Sequence, residues 1–90
     1  MKRYHLYVNG IVQGVGFRWY TQRIGNRIGV SGWVKNLPDG RVEIVVEGED
    51  EKVERFLREL KEGYLGRNIS EIEKNEEVYK GEFIDFEIRF

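Results

Sequence analysis

The 90-residue sequence contains no cysteine, which excludes disulfides, thiol nucleophiles and sulfur-ligated metals. It has one proline and one histidine, and no Pro-rich linker, internal repeat or low-complexity segment. It also lacks an unbroken apolar run of the kind found in signal peptides and membrane-spanning helices. We therefore expect a soluble cytoplasmic protein that does not associate with membranes.

The sequence also has no excess of charge of one sign. It contains 15 Lys and Arg residues and 16 Asp and Glu residues, which gives a net charge of −1. Without an overall positive charge, binding to a nucleic-acid backbone is not expected. We interpret the acidic residues in 47–54 and 71–77 as solvated faces of helices and loops, and His5 as a hydrogen-bonded structural residue. No cluster with metal-ligand spacing and no Ser/His/Asp set is recognisable.

The residues that are present suit one small domain. Hydrophobic residues make up 40% of the chain, which argues against disorder. Ninety residues allow one core and are too few for a second, so we predict a single domain over residues 1–90. A monomer is the default expectation.

Apolar residues alternate from Tyr4 and predict a first strand that reaches about residue 11 or 12. From Phe17 the apolar spacing becomes helical, which predicts a helix of about three turns. Gly25 inside this helix indicates a close approach to the sheet, and Gly29 is a plausible C-cap.

The middle of the chain reads as a hairpin, with strands over 31–36 and 41–47 joined by a tight turn at 38–40. A second helix follows, with Asp50 as a candidate N-cap and an end near Gly63. Its apolar stripe has the spacing i, i+3, i+4, i+7 and consists of Val53, Phe56, Leu57 and Leu60.

A fourth strand is predicted over 69–74, and residues 84–90 alternate cleanly as a half-buried last strand. This order of elements favours the α+β class and a ferredoxin-like α/β sandwich. Its mainly antiparallel sheet would have four to five strands, with two helices on one face.

The stretch VQGVGFR, residues 12–18, lies where the first strand gives way to the first helix. Gly14 and Gly16 permit positive φ values, which can turn successive backbone N–H groups towards an anion. The helix start adds N–H donors, and the planar guanidinium of Arg18 matches two phosphate oxygens. The pattern predicts a small phosphate-binding loop, but a glycine pair alone is more typical of an ordinary turn with a solvated arginine.

A second candidate is Asn36, at the end of the predicted second strand. Its neutral carboxamide offers one acceptor and two donors and is suited to orienting a water molecule. Asparagine is also common at strand ends for purely structural reasons.

Together, VQGVGFR at 12–18 and GWVKNLPDGRVEIVVEG at 32–48 resemble the two signatures of the acylphosphatase family, and the resemblance extends over essentially the whole chain. It implies an enzyme that hydrolyses the carboxyl–phosphate anhydride of acyl phosphates without a metal or other cofactor. It implies that Asn36 holds the attacking water and that Arg18 binds the phosphate with the loop. The implied phosphate-binding residues are Gln13, Gly14, Val15, Gly16, Phe17 and Arg18.

The missing acid–base residues agree with this chemistry, because an acyl phosphate expels a carboxylate that needs no general acid. We expect in-line attack by water, with inorganic phosphate as product and competitive inhibitor. A further hypothesis is that the terminal carboxylate of Phe90 holds Arg18 in one rotamer, against the commoner case of a frayed end.

Two rival functions keep the same fold. One is a non-catalytic RNA-binding platform, although no aromatic-rich RNA-binding signature is present. The other is a carbamoyl phosphate-processing domain, because acylphosphatase-like domains also occur within larger carbamoyl-transfer proteins. We expect a stand-alone enzyme.

Overall fold

The computed structural model describes all of residues 1–90. Neither helix is both long enough and apolar enough to cross a membrane. The elements, in chain order, are β1 (Lys2–Gly10), α1 (Phe17–Ile28), β2 (Ser31–Asn36), β3 (Val42–Gly48), α2 (Asp50–Glu62), a 3₁₀ turn (Gly66–Asn68), β4 (Ile69–Glu77) and β5 (Phe86–Arg89).

The five strands form one sheet in the order β4-β1-β3-β2-β5. Three of the four pairings are antiparallel, and β5 runs parallel to β2. With two helices packed on it, this sheet confirms the predicted ferredoxin-like α+β sandwich and gives its strand number as five.

The core lies between the helices and one face of the sheet. Leu6 and Val8 of β1 and Ile44 of β3 are fully buried there, because alternate residues of a strand point to the same face. The apolar stripe predicted for α2 is buried against them. The helices therefore pack on one side and leave the opposite face of the sheet for polar networks.

The first helix has the predicted bounds and the predicted glycines. A Cβ added to Gly25 would lie 2.7 Å from ring atoms of Phe86 in β5, so the helix approaches the sheet closely at this position. Gly29 caps the helix with a φ of 92°, a value that favours glycine. Both expectations are confirmed.

Several boundaries differ from the predictions, and β1 already ends at Gly10 instead of at residue 11 or 12. The last strand spans only Phe86–Arg89, and Ile84 and Phe90 lie outside it with exposed side chains. The fourth strand is longer than predicted, because it pairs with β1 as far as Glu77. Asp50 is the first residue of α2 rather than its N-cap, and the cap, Glu49, makes no side-chain cap hydrogen bond.

Glu47 is also not the solvated acid that was expected, since its side chain is fully buried. It accepts hydrogen bonds from the guanidinium of Arg3 and from the backbone N–H groups of residues 80–82. The segment between β4 and β5 folds over it, a long-range contact that local patterning does not show. His5 is a structural residue as predicted, with ring nitrogens 2.6 Å from Glu43 Oε2 and 3.1 Å from Glu77 Oε2.

Candidate active site

The loop between β1 and α1 has the conformation that an anion-binding loop requires. Gly14 and Gly16 have φ values of 77° and 82°. An added Cβ would meet no atom within 4 Å at either position, so it is the backbone conformation, rather than space, that demands glycine. Gly16 is also the N-cap of α1, and the first turn of the helix contains no acidic residue to neutralise its positive pole.

The backbone donors of this loop are free. The N–H groups of residues 12–16 have no hydrogen-bond acceptor within the protein, whereas the flanking N–H group of Ile11 donates to the carbonyl of Asn68 at 2.9 Å. Backbone donors are strong hydrogen-bonding groups, and consecutive free ones attract an anion or water. The loop therefore presents a concentration of positive partial charge.

Arg18, in the first turn of α1, adds a full positive charge. Its Nη1 donates to the backbone carbonyl of Arg89 at 3.4 Å, and its guanidinium carbon lies 4.6 Å from the ring centroid of Phe90. Arg18 forms no ion pair with any carboxylate, including that of the chain terminus. The hypothesis of an orienting terminal carboxylate was therefore wrong, since a main-chain carbonyl and an aromatic ring hold the side chain instead.

Asn36 is the last residue of β2, paired with Val42 across the hairpin. Its Oδ1 is buried and has no hydrogen-bond partner in the protein. An unpartnered buried acceptor costs roughly 1–3 kcal/mol, so its retention calls for a donor from outside the chain.

These groups line one cavity of about 190 Å³. Of the predicted site residues, it is lined by Gly14, Gly16, Phe17, Arg18 and Asn36. Gln13 and Val15 do not line it, so their predicted backbone contacts to phosphate stay predictions. A cavity of this size suits a small ligand, and its donors select an anionic one.

Gln13 instead joins the two predicted signatures through its side chain. Its Nε2 donates to the backbone carbonyls of Leu37 at 2.8 Å and Arg41 at 2.9 Å. These carbonyls belong to the turn that follows Asn36. The glutamine therefore fixes the distance between the loop and the asparagine, a role that was not predicted.

Val12, Trp19 and Ile88 also line the cavity and were not predicted as site residues, and Phe90, which was expected to reach Arg18 through its carboxylate, lines it as well. A signal for Trp19 existed, because an aromatic residue directly follows the predicted phosphate-binding arginine. Ile88 gave no signal, since its position depends on the parallel pairing of β5 with β2.

Fold and site together define a ferredoxin-like α+β domain with a glycine-containing loop of free backbone N–H groups at its first strand-to-helix turn. The acylphosphatase family model matches residues 4–88 of the chain. The chain belongs to the acylphosphatase family, and it is thereby a hydrolase of acyl phosphates.

Individual relatives agree with this family. An acylphosphatase of Syntrophobacter fumaroxidans is 46% identical over 89 residues, which cover 99% of this chain and 92% of the relative. The crystal structure of acylphosphatase from Bacillus subtilis matches with a TM-score of 0.92 and 36% identity over 100% of both chains. T. kodakarensis HypF matches with a TM-score of 0.84 and 43% identity, over 100% of this chain and 12% of that protein.

Proposed function

We propose that the chain hydrolyses acyl phosphates with the phosphoryl group seated in the cavity between the β1–α1 loop and Asn36. One observation carries the proposal, namely that free loop amides, an arginine without an ion-pair partner and an unpartnered carboxamide oxygen converge on this cavity. The N–H groups and Arg18 bind the phosphoryl oxygens. Each such preorganised donor is worth roughly 3 kcal/mol of transition-state stabilisation.

The attacking water is held by Asn36, whose Oδ1 accepts a hydrogen bond from it. The water oxygen forms a bond to phosphorus in line with the breaking bond from phosphorus to the acyl oxygen. The carboxylate leaves with the electron pair of that bond. Because a carboxamide is not a base, the proton of the water passes to a phosphoryl oxygen of the substrate.

The leaving group explains why these few groups suffice. A carboxylic acid has a pKa of about 4, so its carboxylate departs at neutral pH without protonation. A phosphate monoester would expel an alkoxide and would need an acid or a metal ion. We therefore propose that residues 1–90 act as one domain that needs no cofactor and is competitively inhibited by inorganic phosphate.

The test compares acetyl phosphate with ethyl phosphate, a phosphate monoester that expels an alkoxide, after chelator treatment of the protein. We expect hydrolysis of acetyl phosphate alone, and a loss of about a hundredfold in kcat for Asn36→Ala. Asn75→Ala, a change of the same kind on the exposed strand β4, is the matched control and should keep full activity. Equal cleavage of both compounds, or full activity of Asn36→Ala, would overturn the proposal.

A further inference from the structure

A second cavity, of about 380 Å³, lies between α1 and the end of α2. We call it the interhelical cleft, and its walls include Trp19, Arg23 and Tyr64. None of the groups that were assigned to phosphate or water binding lies in it. Its position and size therefore raise the question of which ligand or part of a ligand binds there.

Trp19 is the residue that connects the two cavities, because it lines both the phosphate cavity and the interhelical cleft. The two cavities are therefore neighbours that share this residue as part of their walls. In an acyl phosphate, one oxygen joins phosphorus to the acyl carbon, so the acyl group begins where the phosphate cavity ends. We expect an acyl group that extends past Trp19 to reach the cleft.

The cleft offers aromatic surface to such a group. Trp19 is 51% exposed and Tyr64 is 63% exposed, which leaves ring surface free on both side chains. Tyr64 is held edge-on against Tyr20 with ring centroids 5.2 Å apart. Tyr20 is itself fixed, because its hydroxyl donates to the carbonyl of Leu60 at 2.7 Å. The ring of Tyr64 thus packs against Tyr20, which is itself held in place by the core.

The charges of the cleft favour an uncharged occupant. The guanidinium of Arg23 lies 4.6 Å from the centroid of the Trp19 ring, where it stiffens the indole. Arg27 is paired with Glu59, and the two arginines and two glutamates that line the cleft have no net charge together. An aromatic ring that stacks on exposed aromatic surface gains from burial without requiring a counter-charge.

From this arrangement we infer that the interhelical cleft is an acyl-group subsite that selects aryl and arylalkyl acyl phosphates. The inference rests on the proposed function, because it uses the phosphate cavity as the anchor of the substrate. Trp19 forms the entrance, Tyr64 forms the opposite aromatic wall, and Arg23 positions Trp19. Acetyl phosphate is too short to reach Tyr64.

The test measures kcat and KM for acetyl, benzoyl and 3-phenylpropanoyl phosphate with the wild type and Tyr64→Ala. We expect KM for the two aryl substrates to rise about fivefold in Tyr64→Ala, which is typical for the loss of one aromatic contact. Values for acetyl phosphate should not change. Tyr64→Phe keeps the ring and should restore the wild-type KM, a rescue that a merely structural role of the hydroxyl would not produce.

Tyr79→Ala is the matched control, because Tyr79 is a partly exposed tyrosine that lines neither cavity. The same ratio of aryl to acetyl kcat/KM in Tyr64→Ala and in the wild type would overturn the subsite. Failure of the wild type to hydrolyse any acyl phosphate would overturn the proposed function instead.

A binding measurement tests the subsite without turnover. In a Trp33→Phe background, Trp19 is the remaining tryptophan, and its fluorescence is followed during titration with carbon-bridged phosphonate analogues. We expect the phenyl analogue to quench Trp19 and to bind about fivefold more tightly than the methyl analogue, with Tyr64→Ala removing the difference. Equal affinities of the two analogues for the parent protein would contradict the inference.

Discussion

The side-chain Nε2 of Gln13 lies 2.8 Å from the backbone carbonyl oxygen of Leu37. This hydrogen bond ties the loop between β1 and α1 to the residue that follows Asn36. The proposed phosphate and water sites are thus held at a fixed separation by one amide. Such a bridge matters because in-line attack tolerates little displacement of the nucleophile.

Gln13→Ala should lower kcat for acetyl phosphate by about tenfold and change KM little, because the loop keeps its free amides while Asn36 loses its fixed position. Both carbonyls keep a backbone donor, so stability should fall only slightly. Steady-state kinetics and thermal melting measure the two effects. Gln22→Ala, which removes a single 3.4 Å hydrogen bond from α1, is the control. Equal losses of kcat in both variants would argue against a positioning role for Gln13.

Arg18→Lys should lower kcat/KM for acetyl phosphate by about a hundredfold, although it conserves the charge. A lysine presents a point charge, whereas a guanidinium fork can contact two phosphoryl oxygens at once, as proposed for Arg18, and also lies over the ring of Phe90. Inorganic phosphate should also inhibit the variant less strongly. Arg55→Lys, an exposed change on α2, should behave as the wild type. Wild-type kinetics in Arg18→Lys would remove the arginine from phosphate binding.

Glu47 should make the free energy of unfolding depend on pH. Burial acts to raise the pKa of its carboxyl, but the backbone N–H groups of residues 80–82 and the guanidinium of Arg3 outweigh it and lower the pKa below the ordinary 4.5. A lowered folded-state pKa means that the stabilisation is complete above 4.5 and is lost as pH falls through the lower, folded value.

Glu47→Gln should cost about 3 kcal/mol at neutral pH, because it leaves the buried Arg3 without one of its carboxylates. The difference from the wild type should shrink as the pH is lowered below 4. Denaturant unfolding at several pH values measures it. Glu71→Gln on the exposed side of β4 should show neither effect. A pH-independent difference would show that the charge of Glu47 is not what stabilises the fold.

The local sequence pattern predicted those helices and strands that bury a single face against the rest of the protein. The spacing that begins at Phe17 predicted α1, and alternation from Tyr4 predicted β1, because each of these patterns records one buried face. Alternation overestimated β5, since residues 84–90 keep the pattern while β2 pairs only as far as Phe86–Arg89. The sequence of a strand does not show how long its partner strand is, so it cannot predict where the pairing ends.

The sequence predicted those residues of the candidate site that lie close together in the chain. Gly14, Gly16 and Arg18 sit within a single stretch, and their backbone requirements are visible in the sequence. The bridge from Gln13 to the hairpin and the shared wall of Trp19 depend on packing between distant segments. The burial of Glu47 has the same origin, because it is covered by a segment more than thirty residues further along the chain.

Gly25→Ala tests the close approach of α1 to the sheet, where two effects oppose each other. Alanine is favoured over glycine in a helix by about 1 kcal/mol. Its Cβ would lie 2.7 Å from the ring of Phe86, and overpacking of this kind costs about 1–3 kcal/mol. We expect the clash to prevail, so that Gly25→Ala lowers the free energy of unfolding by about 1 kcal/mol.

A double-mutant cycle with Phe86→Leu separates the two effects. The smaller leucine leaves room for the new methyl group, so Gly25→Ala should be neutral or stabilising in that background, with a coupling of about 1 kcal/mol or more. Chemical denaturation of the four proteins gives the coupling directly. Additive free energies would mean that the ring of Phe86 does not exclude a side chain at residue 25, and that helix propensity alone decides the outcome.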